Sequence, residues 1–198
     1  GILQAKLDST HPRVLAQQGN IAFLLDRSGR AEEAVPLLEV TLAGLRTRLP
    51  SHHPAVLANM ATLGAALGRL GRHADAVVIL GEVVAIERER MPEDRQRVFA
   101  LDNYATTLLQ LGRPDDAEGA WREALDIATR ASGPGHPSAA VPRSRLANLR
   151  CERPGDRAAW AGAIDQFRAS LLVLDQAMGV AHPMRLGVRA QYGACLLR

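Results

Sequence analysis

Aromatic residues are scarce in this 198-residue chain, at 4%, so the large flat side chains typical of β-sandwich cores are missing. An apolar content of 47% leaves Ala, Leu, Val and Ile to build the core, which suits closely packed helices. That content also excludes a disordered chain and is enough to bury a substantial core. Cysteine is nearly absent: Cys151 and Cys195 are too few for a disulfide scaffold. Lysine is absent but for Lys6, so the net charge of +3, from 24 basic and 21 acidic residues, rests on arginine. No run of one sign occurs. The arginine bias therefore reads as genome composition, and nucleic acid is disfavoured as a partner. No apolar stretch approaches the ~20 residues of a membrane span, and no signal peptide opens the chain.

What the chain has in abundance is internal repetition. His11-Pro12 leads through Asn20-Ile21-Ala22 to Gly29-Arg30 and Ala34. The same frame returns as His53-Pro54, Thr62-Leu63-Gly64, Gly71-Arg72 and Ala76. A third copy keeps Asn103-Tyr104-Ala105, Gly112-Arg113 and Ala117 without its His-Pro. His136-Pro137 and His182-Pro183 open a fourth and a fifth. Periods of 20–50 residues mark stacked supersecondary units that work through an extended surface. The units run approximately 11–52, 53–94, 95–135, 136–181 and 182–198, the last being partial, within one expected domain over 1–198.

Each unit reads as two helices. Proline suits the first helical position, where its missing N–H would be unpaired anyway, and the glycine some fifteen residues later suits a helix stop. The spacing predicts helices over 12–27, 31–48, 54–69, 73–90, 94–110 and 114–132, with residues 1–10 as the tail of a preceding second helix. Apolar residues recur at three- and four-residue steps, as in Leu38, Leu42 and Leu45, in Ile79, Val83 and Ile86, and in Trp121, Leu125 and Ala128. Small residues share one register at Ala22, Gly64 and Ala105, and another at Ala34, Ala76, Ala117 and Ala163. These positions let paired helices approach closely. The large apolar residues Leu38, Leu80, Trp121 and Phe167 share a third register. The fourth unit is four residues longer, and the register puts the excess around Pro154–Trp160, outside the helices. Trp160 is expected to fold back over Phe167, the alternative being an exposed indole that anchors a partner. The two cysteines fall on first helices of neighbouring units, whose axes should lie about 8–10 Å apart. A bridge needs Cα atoms within about 7 Å, so none is expected and cytoplasmic residence is.

The residues Ile21-Ala22, Leu25, Gly29, Ala34 and Leu38, and their counterparts Tyr104-Ala105, Leu108, Gly112, Ala117 and Trp121, resemble the tetratricopeptide repeat (TPR) family. The 42-residue period, with His-Pro at unit starts and Pro36 in "EEAVPLL", is similar to the kinesin-light-chain type of that repeat. The fourth unit departs most, with Arg150 for the Leu and Pro154 for the Gly. The resemblance implies an all-α, right-handed α-α superhelix whose first helices line a concave groove. Carried over unit by unit, it implies groove positions at Asn20, Phe23 and Arg27; Thr62 and Arg69; Asp102, Asn103, Thr106 and Gln110; Arg145 and Asn148; and Gln191. Such an amide-bearing row suits an extended or helical peptide, because Asn and Gln both donate to and accept from peptide groups. The competing reading is that some of these amides only bond a neighbouring helix. The basic pattern of TPR domains that clamp chaperone tail carboxylates is not met, since Gly19 and Phe23 stand where a Lys and an Asn would be.

Reactive constellations are missing. There is no Gly-x-Ser-x-Gly elbow, phosphate loop or His-Glu-x-x-His motif. His11, His53, His136 and His182 open separate units and read as helix starts, because zinc needs nitrogens about 2.0–2.1 Å from one point. Glu32-Glu33 and Asp115-Asp116 sit in first turns, where acids favour the helix dipole. The expectation is a non-catalytic scaffold without metal or cofactor, binding a protein or peptide partner and not a membrane. An arginine-based nucleic-acid module and a self-association segment are the alternatives. Starting at Gly1 and stopping inside a helix at Arg198, the chain is expected to be a piece of a larger bacterial multidomain protein that signals or regulates.

Overall fold

A computed structural model describes residues 11–90, 97–152, 157–179 and 182–197. All regular elements among them are helices: α1 Pro12–Arg27, α2 Ala31–Arg46, α3 Pro54–Arg69, α4 His73–Arg90, α5 Arg97–Gln110, α6 Pro114–Ser132, α7 Pro137–Cys151, α8 Arg157–Ala177 and α9 Pro183–Leu196. The spans expected for α1, α3, α4 and α6 are met, and α2 stops two residues short. Residues 1–10, 94–96 and Pro154 lie outside the described set. One boundary needs correcting. The segment assigned to a turn up to Trp160 is already helical from Arg157, so Trp160 stands in the first turn of α8.

The histidines start helices by a more specific means than proline placement. At His11, His53, His136 and His182 the backbone is extended, and the imidazole Nδ1 accepts the N–H two residues on, from Arg13, Ala55, Ser138 and Met184 at 3.1–3.3 Å. Each ring thus satisfies one of the orphan donors of the first turn while Pro removes another. At the other end, Gly29, Gly71 and Gly112 all have positive φ. In the first two units the N–H after the glycine reaches back five residues, Arg30 to the Leu25 carbonyl and Arg72 to the Leu67 carbonyl, each at 2.9 Å. This is the Schellman closure that a left-handed glycine permits. The next helix opens with an arginine–acid pair at i,i+3: Arg30–Glu33, Arg72–Asp75 and Arg113–Asp116, 2.6–2.7 Å. The Arg30 hydrogen bond holds the Glu33 carboxyl below its ordinary range.

The chain divides into two compact parts: α1–α4 with residues 106–111, and residues 97–105 with α6–α9. In the first, α1 packs on α2 and α3, α3 on α2 and α4. Its core holds Ala22, Ala34, Leu38, Leu42, Leu45, Val56, Met60, Ala76 and Leu80. A Cβ on Gly64 would stand 2.5 Å from Leu80 Cγ, so glycine is what admits the fully buried Leu80 there. The buried stripe of α4 is Ala76, Leu80, Val83 and Val84, with Ile79 and Ile86 only half-buried, one step from the stripe expected.

In the second part α6 packs on α7, α7 on α8, and α9 on both α8 and α7. Ala105, Ala117, Trp121, Ala147, Ala163 and Phe167 are buried in it. All four alanines of the second small-residue register are therefore inaccessible, and so are the four large residues of the third.

The second correction concerns the cysteines. Cys151 and Cys195 form a disulfide, with Cα atoms 5.6 Å apart. The expectation of no bridge equated the spacing of helix axes with the spacing of Cα atoms. Each Cα lies about 2.3 Å off its axis, so residues facing one another across a spacing of about 8–10 Å come within bridging range. Trp160 does fold back. It packs against the cluster containing Phe167 and donates its indole N–H to the Cys195 carbonyl at 3.1 Å.

Trp121 fixes the register experimentally. It is 2% exposed, and Trp121→Ala should cost about 3–5 kcal/mol of unfolding free energy in a denaturant titration. A loss below about 1 kcal/mol would mean that α6 presents a different face to the core.

Candidate functional site

The residues expected to line a groove all sit on first helices, α1, α3, α5, α7 and α9. Their surroundings differ. On α1, Asn20, Phe23 and Arg27 recur at three- and four-residue steps and are all exposed, Phe23 to 40%. Among the described residues nothing bonds the Asn20 amide or the Arg27 guanidinium. On α3, Thr62 is 7% exposed and its hydroxyl donates to the Ala58 carbonyl at 2.8 Å. It stands inside the packing and not on a free surface. Arg69 is half-exposed, and its guanidinium makes a two-pronged ion pair with Asp26 of α1, Nε–Oδ1 2.7 Å with Nη2 on Oδ2. In the same part Thr106 is half-buried and Gln110 exposed.

In the second part, Asp102 accepts from both the Trp121 indole at 2.9 Å and Arg145 Nε at 3.2 Å. Asp102 and Arg145 are thereby largely committed within the chain. Asn148 donates to Glu152 one turn on, at 3.0 Å. Asn103 and Gln191 are half-buried. Among the expected residues, Asn20, Phe23 and Arg27 on α1 and Gln110 on α5 are exposed, while Thr62, Arg69, Asp102, Arg145 and Asn148 are bonded within the chain. The Asn20 amide is exposed, whereas the Asn148 amide bonds the C-cap residue of its own helix and not a neighbouring helix.

Two of these ties were missed in sequence and carry a signal that could have shown them. Asp26–Arg69 and Asp102–Arg145 are both 43 residues apart, linking first helices of consecutive units. In each pair the arginine lies one register position beyond the aspartate. The two pairs stand seven positions, about two helical turns, apart on the same face of the first helix. A recurrent Asp-to-Arg separation of one period plus one is what a latch between neighbouring first helices requires.

Asn59 explains why the carboxylate-clamp pattern is lost at Gly19. Asn59 of α3 is buried, with its amide donating to the Ala55 carbonyl at 2.8 Å. A Cβ on Gly19 would overlap the Asn59 carbonyl oxygen and stand 2.9 Å from its amide nitrogen. A lysine at position 19 has no room while Asn59 occupies that gap.

The sequence frame and the helix-pair geometry define an all-α helical-hairpin repeat. Profiles described as Tetratricopeptide repeat match residues 14–55, 60–82 and 97–159, together well over half of the chain. The chain belongs to the tetratricopeptide repeat family, whose members are protein–protein interaction scaffolds. Among solved structures, the nearly identical TPR-like repeats of a kinesin-light-chain-like protein of Podosopora anserina share the fold, with TM-score 0.72 and 24% identity over 94% of this chain and 87% of that one. BtubC (BKLC) of P. vanneervenii is similar at TM-score 0.74 and 19% identity, over 93% and 72% of the two chains. No curated protein matches the chain. No helix among the described residues is long and apolar enough to cross a membrane.

The Asp26–Arg69 latch yields an asymmetric prediction. The Asp26 side chain is 2% exposed and that of Arg69 46%. Arg69→Ala leaves a buried carboxylate without its counter-charge and should cost about 3–5 kcal/mol. Asp26→Ala lets the arginine return to water and should cost only about 1–2 kcal/mol. Equal losses in urea unfolding would mean that the carboxylate does not depend on Arg69.

Proposed function

We propose that the chain binds an extended or helical protein segment along its first helices, as one solenoid domain, without catalysing a reaction. The observation that carries this reading is the exposed row Asn20, Phe23 and Arg27 on α1. An amide, an aromatic ring and a guanidinium along one helix offer peptide hydrogen bonding, apolar anchoring and acidic-group recognition together. Gln110, Thr106, Asn103, Asn148 and Gln191 would extend the contact, with Arg69, Asp102 and Arg145 shaping it from their latched positions and Thr62 supporting it from within. The kinesin-light-chain-like proteins of similar fold support the scaffold role. No partner is carried over from them.

A nucleic-acid reading finds less support. Phosphate binding draws on several free cations, whereas Arg30, Arg72, Arg113, Arg122 and Arg130 each sit against a carboxylate one turn away. The placement in a larger bacterial signalling or regulatory protein belongs to this proposal. So does cytoplasmic residence, with a condition attached. Persistent disulfides are rare in reducing compartments, so the Cys151–Cys195 bond would there be open or transient.

Peptide display on the immobilised chain tests the reading. Selected peptides should bind wild type, and the triple variant Asn20→Ala/Phe23→Ala/Arg27→Ala should weaken that binding at least about tenfold, about 1.4 kcal/mol, with its helical circular dichroism unchanged. Undiminished binding by the folded triple variant would remove α1 from the interface, and turnover of any substrate by the purified chain would overturn the scaffold assignment.

A further inference from the structure

We propose that the outer edge of the Arg145 guanidinium recognises a carboxylate side chain of the bound segment, with Phe99 as an apolar anchor one helical turn away. The proposal rests on the reading that a protein segment lies along the first helices, and it names what that segment carries. All the residues concerned belong to one compact part, 97–105 with α6–α9. Within it α7 has a first helix on either side, α5 through the Asp102–Arg145 bond and α9 by packing.

The repeat frame singles this place out. In a repeated architecture the shared residues build the scaffold, so residues that leave the frame together mark what is particular to the chain. Trp121 stands in register with Leu38, Leu80 and Phe167, and Asp102 with Gly19, Ala61 and Ser144. Only the third hairpin therefore pairs an indole with a carboxylate, and the two are bonded at 2.9 Å. Arg145 stands in register with Asn20, Thr62 and Asn103, and its Nε donates to the same Asp102 Oδ1 at 3.2 Å. A tryptophan of the core thus holds a carboxylate, which holds an arginine of the next unit. Fixing a long side chain costs rotamer freedom. An arginine already held in the free protein loses less of it on binding.

The bond to Asp102 uses one edge of the guanidinium. Among the described residues nothing bonds Nη1 or Nη2, and the Arg145 side chain is 33% exposed. Those two nitrogens offer parallel N–H donors, the fork that takes a carboxylate end-on. Asp102 cancels the net charge of the arginine, so the site selects by hydrogen-bond geometry and not by attraction for anions at large. Nucleic acid, which draws on several uncompensated cations, does not fit it. Of the three phenylalanines, Phe167 lies in the core, whereas Phe99 is 48% exposed at a register that Ala16 and Ala58 hold in earlier units. Phe99 precedes Asp102 by three residues, and the half-buried Val141 precedes Arg145 by four. Apolar surface thus lies about one turn, ~5.4 Å, from the guanidinium. Alternate residues of an extended segment are about 6–7 Å apart, and neighbours on one helix face about 5–6 Å. The segment therefore carries an apolar and an acidic side chain two residues apart if extended, three or four if helical.

The test is peptide display on the full chain with two short-peptide libraries, one of all amino acids and one without Asp and Glu. A selected acidic peptide is then compared by fluorescence anisotropy with its amide analogue and its phosphoserine analogue. The first library should enrich Asp or Glu, and the wild-type chain should bind the acidic peptide at least about tenfold more tightly than either analogue. Arg145→Gln should bring acidic peptide and amide analogue within about twofold, with its helical circular dichroism kept. Phe99→Ala should weaken both about tenfold and preserve their ratio. Should Arg145→Gln fail to fold, the three-peptide comparison on the wild-type chain decides by itself. A wild-type ratio within about twofold, a ratio that survives Arg145→Gln, or tightest binding by the phosphoserine analogue would each overturn the assignment and leave segment binding in place. Failure of both libraries to yield any binder would instead remove the reading beneath it, and the assignment with it.

Discussion

Close approach of paired helices at small side chains is the constraint on which the rest of this structure depends. Ala22, Gly64, Ala105 and Ala147 occupy one such position on the first helices, and Ala34, Ala76, Ala117 and Ala163 occupy another on the second; all are buried. Leu38, Leu80, Trp121 and Phe167 then fill the space beside them, one turn beyond each second-helix alanine. With few aromatics available, the core is made mainly by bringing backbones together, and large rings, those of Trp121 and Phe167, fill the space in only two of the four hairpins. A close-packed interior leaves little room for change at such positions.

Everything local serves that approach. The His-Pro starts spend the imidazole nitrogen on a backbone N–H, which ends the inter-unit loop at a defined residue. The positive-φ glycines turn the chain so that the next helix begins within three residues. The arginine–acid pairs that open the second helices are exposed and contribute little stability singly, but they recur in step with the turn. The Asp26–Arg69 and Asp102–Arg145 latches act between units, alongside the packing of α2 on α3 and of α6 on α7. The disulfide does the same between α7 and α9 by a covalent route.

Much of this architecture was legible in the sequence because a repeat states its register several times. Ala163 and Phe167 were placed correctly across a four-residue insertion, since His136-Pro137 and His182-Pro183 framed it on both sides. What was illegible has physical causes. Thr62 looked like a surface residue by register, but the neighbouring helices cover it and its hydroxyl turns to its own backbone. Arg69 and Asp102 looked free because their partners lie one unit away, on a row that the apolar pattern does not mark. The disulfide was missed through a geometric simplification, helix axes being farther apart than the residues that face across them. The three α1 members of the expected row, Asn20, Phe23 and Arg27, are exposed, and the interaction surface proposed for the chain is built on them.

The central claim is that small residues at one register position hold every hairpin closed. The direct measurement is denaturant unfolding of the four single variants Ala34→Leu, Ala76→Leu, Ala117→Leu and Ala163→Leu. Each should lose about 1–3 kcal/mol from overpacking, with no unit spared despite their different turns and lengths. Two or more variants within about 0.5 kcal/mol of wild type, the range of an ordinary surface substitution, would contradict the account.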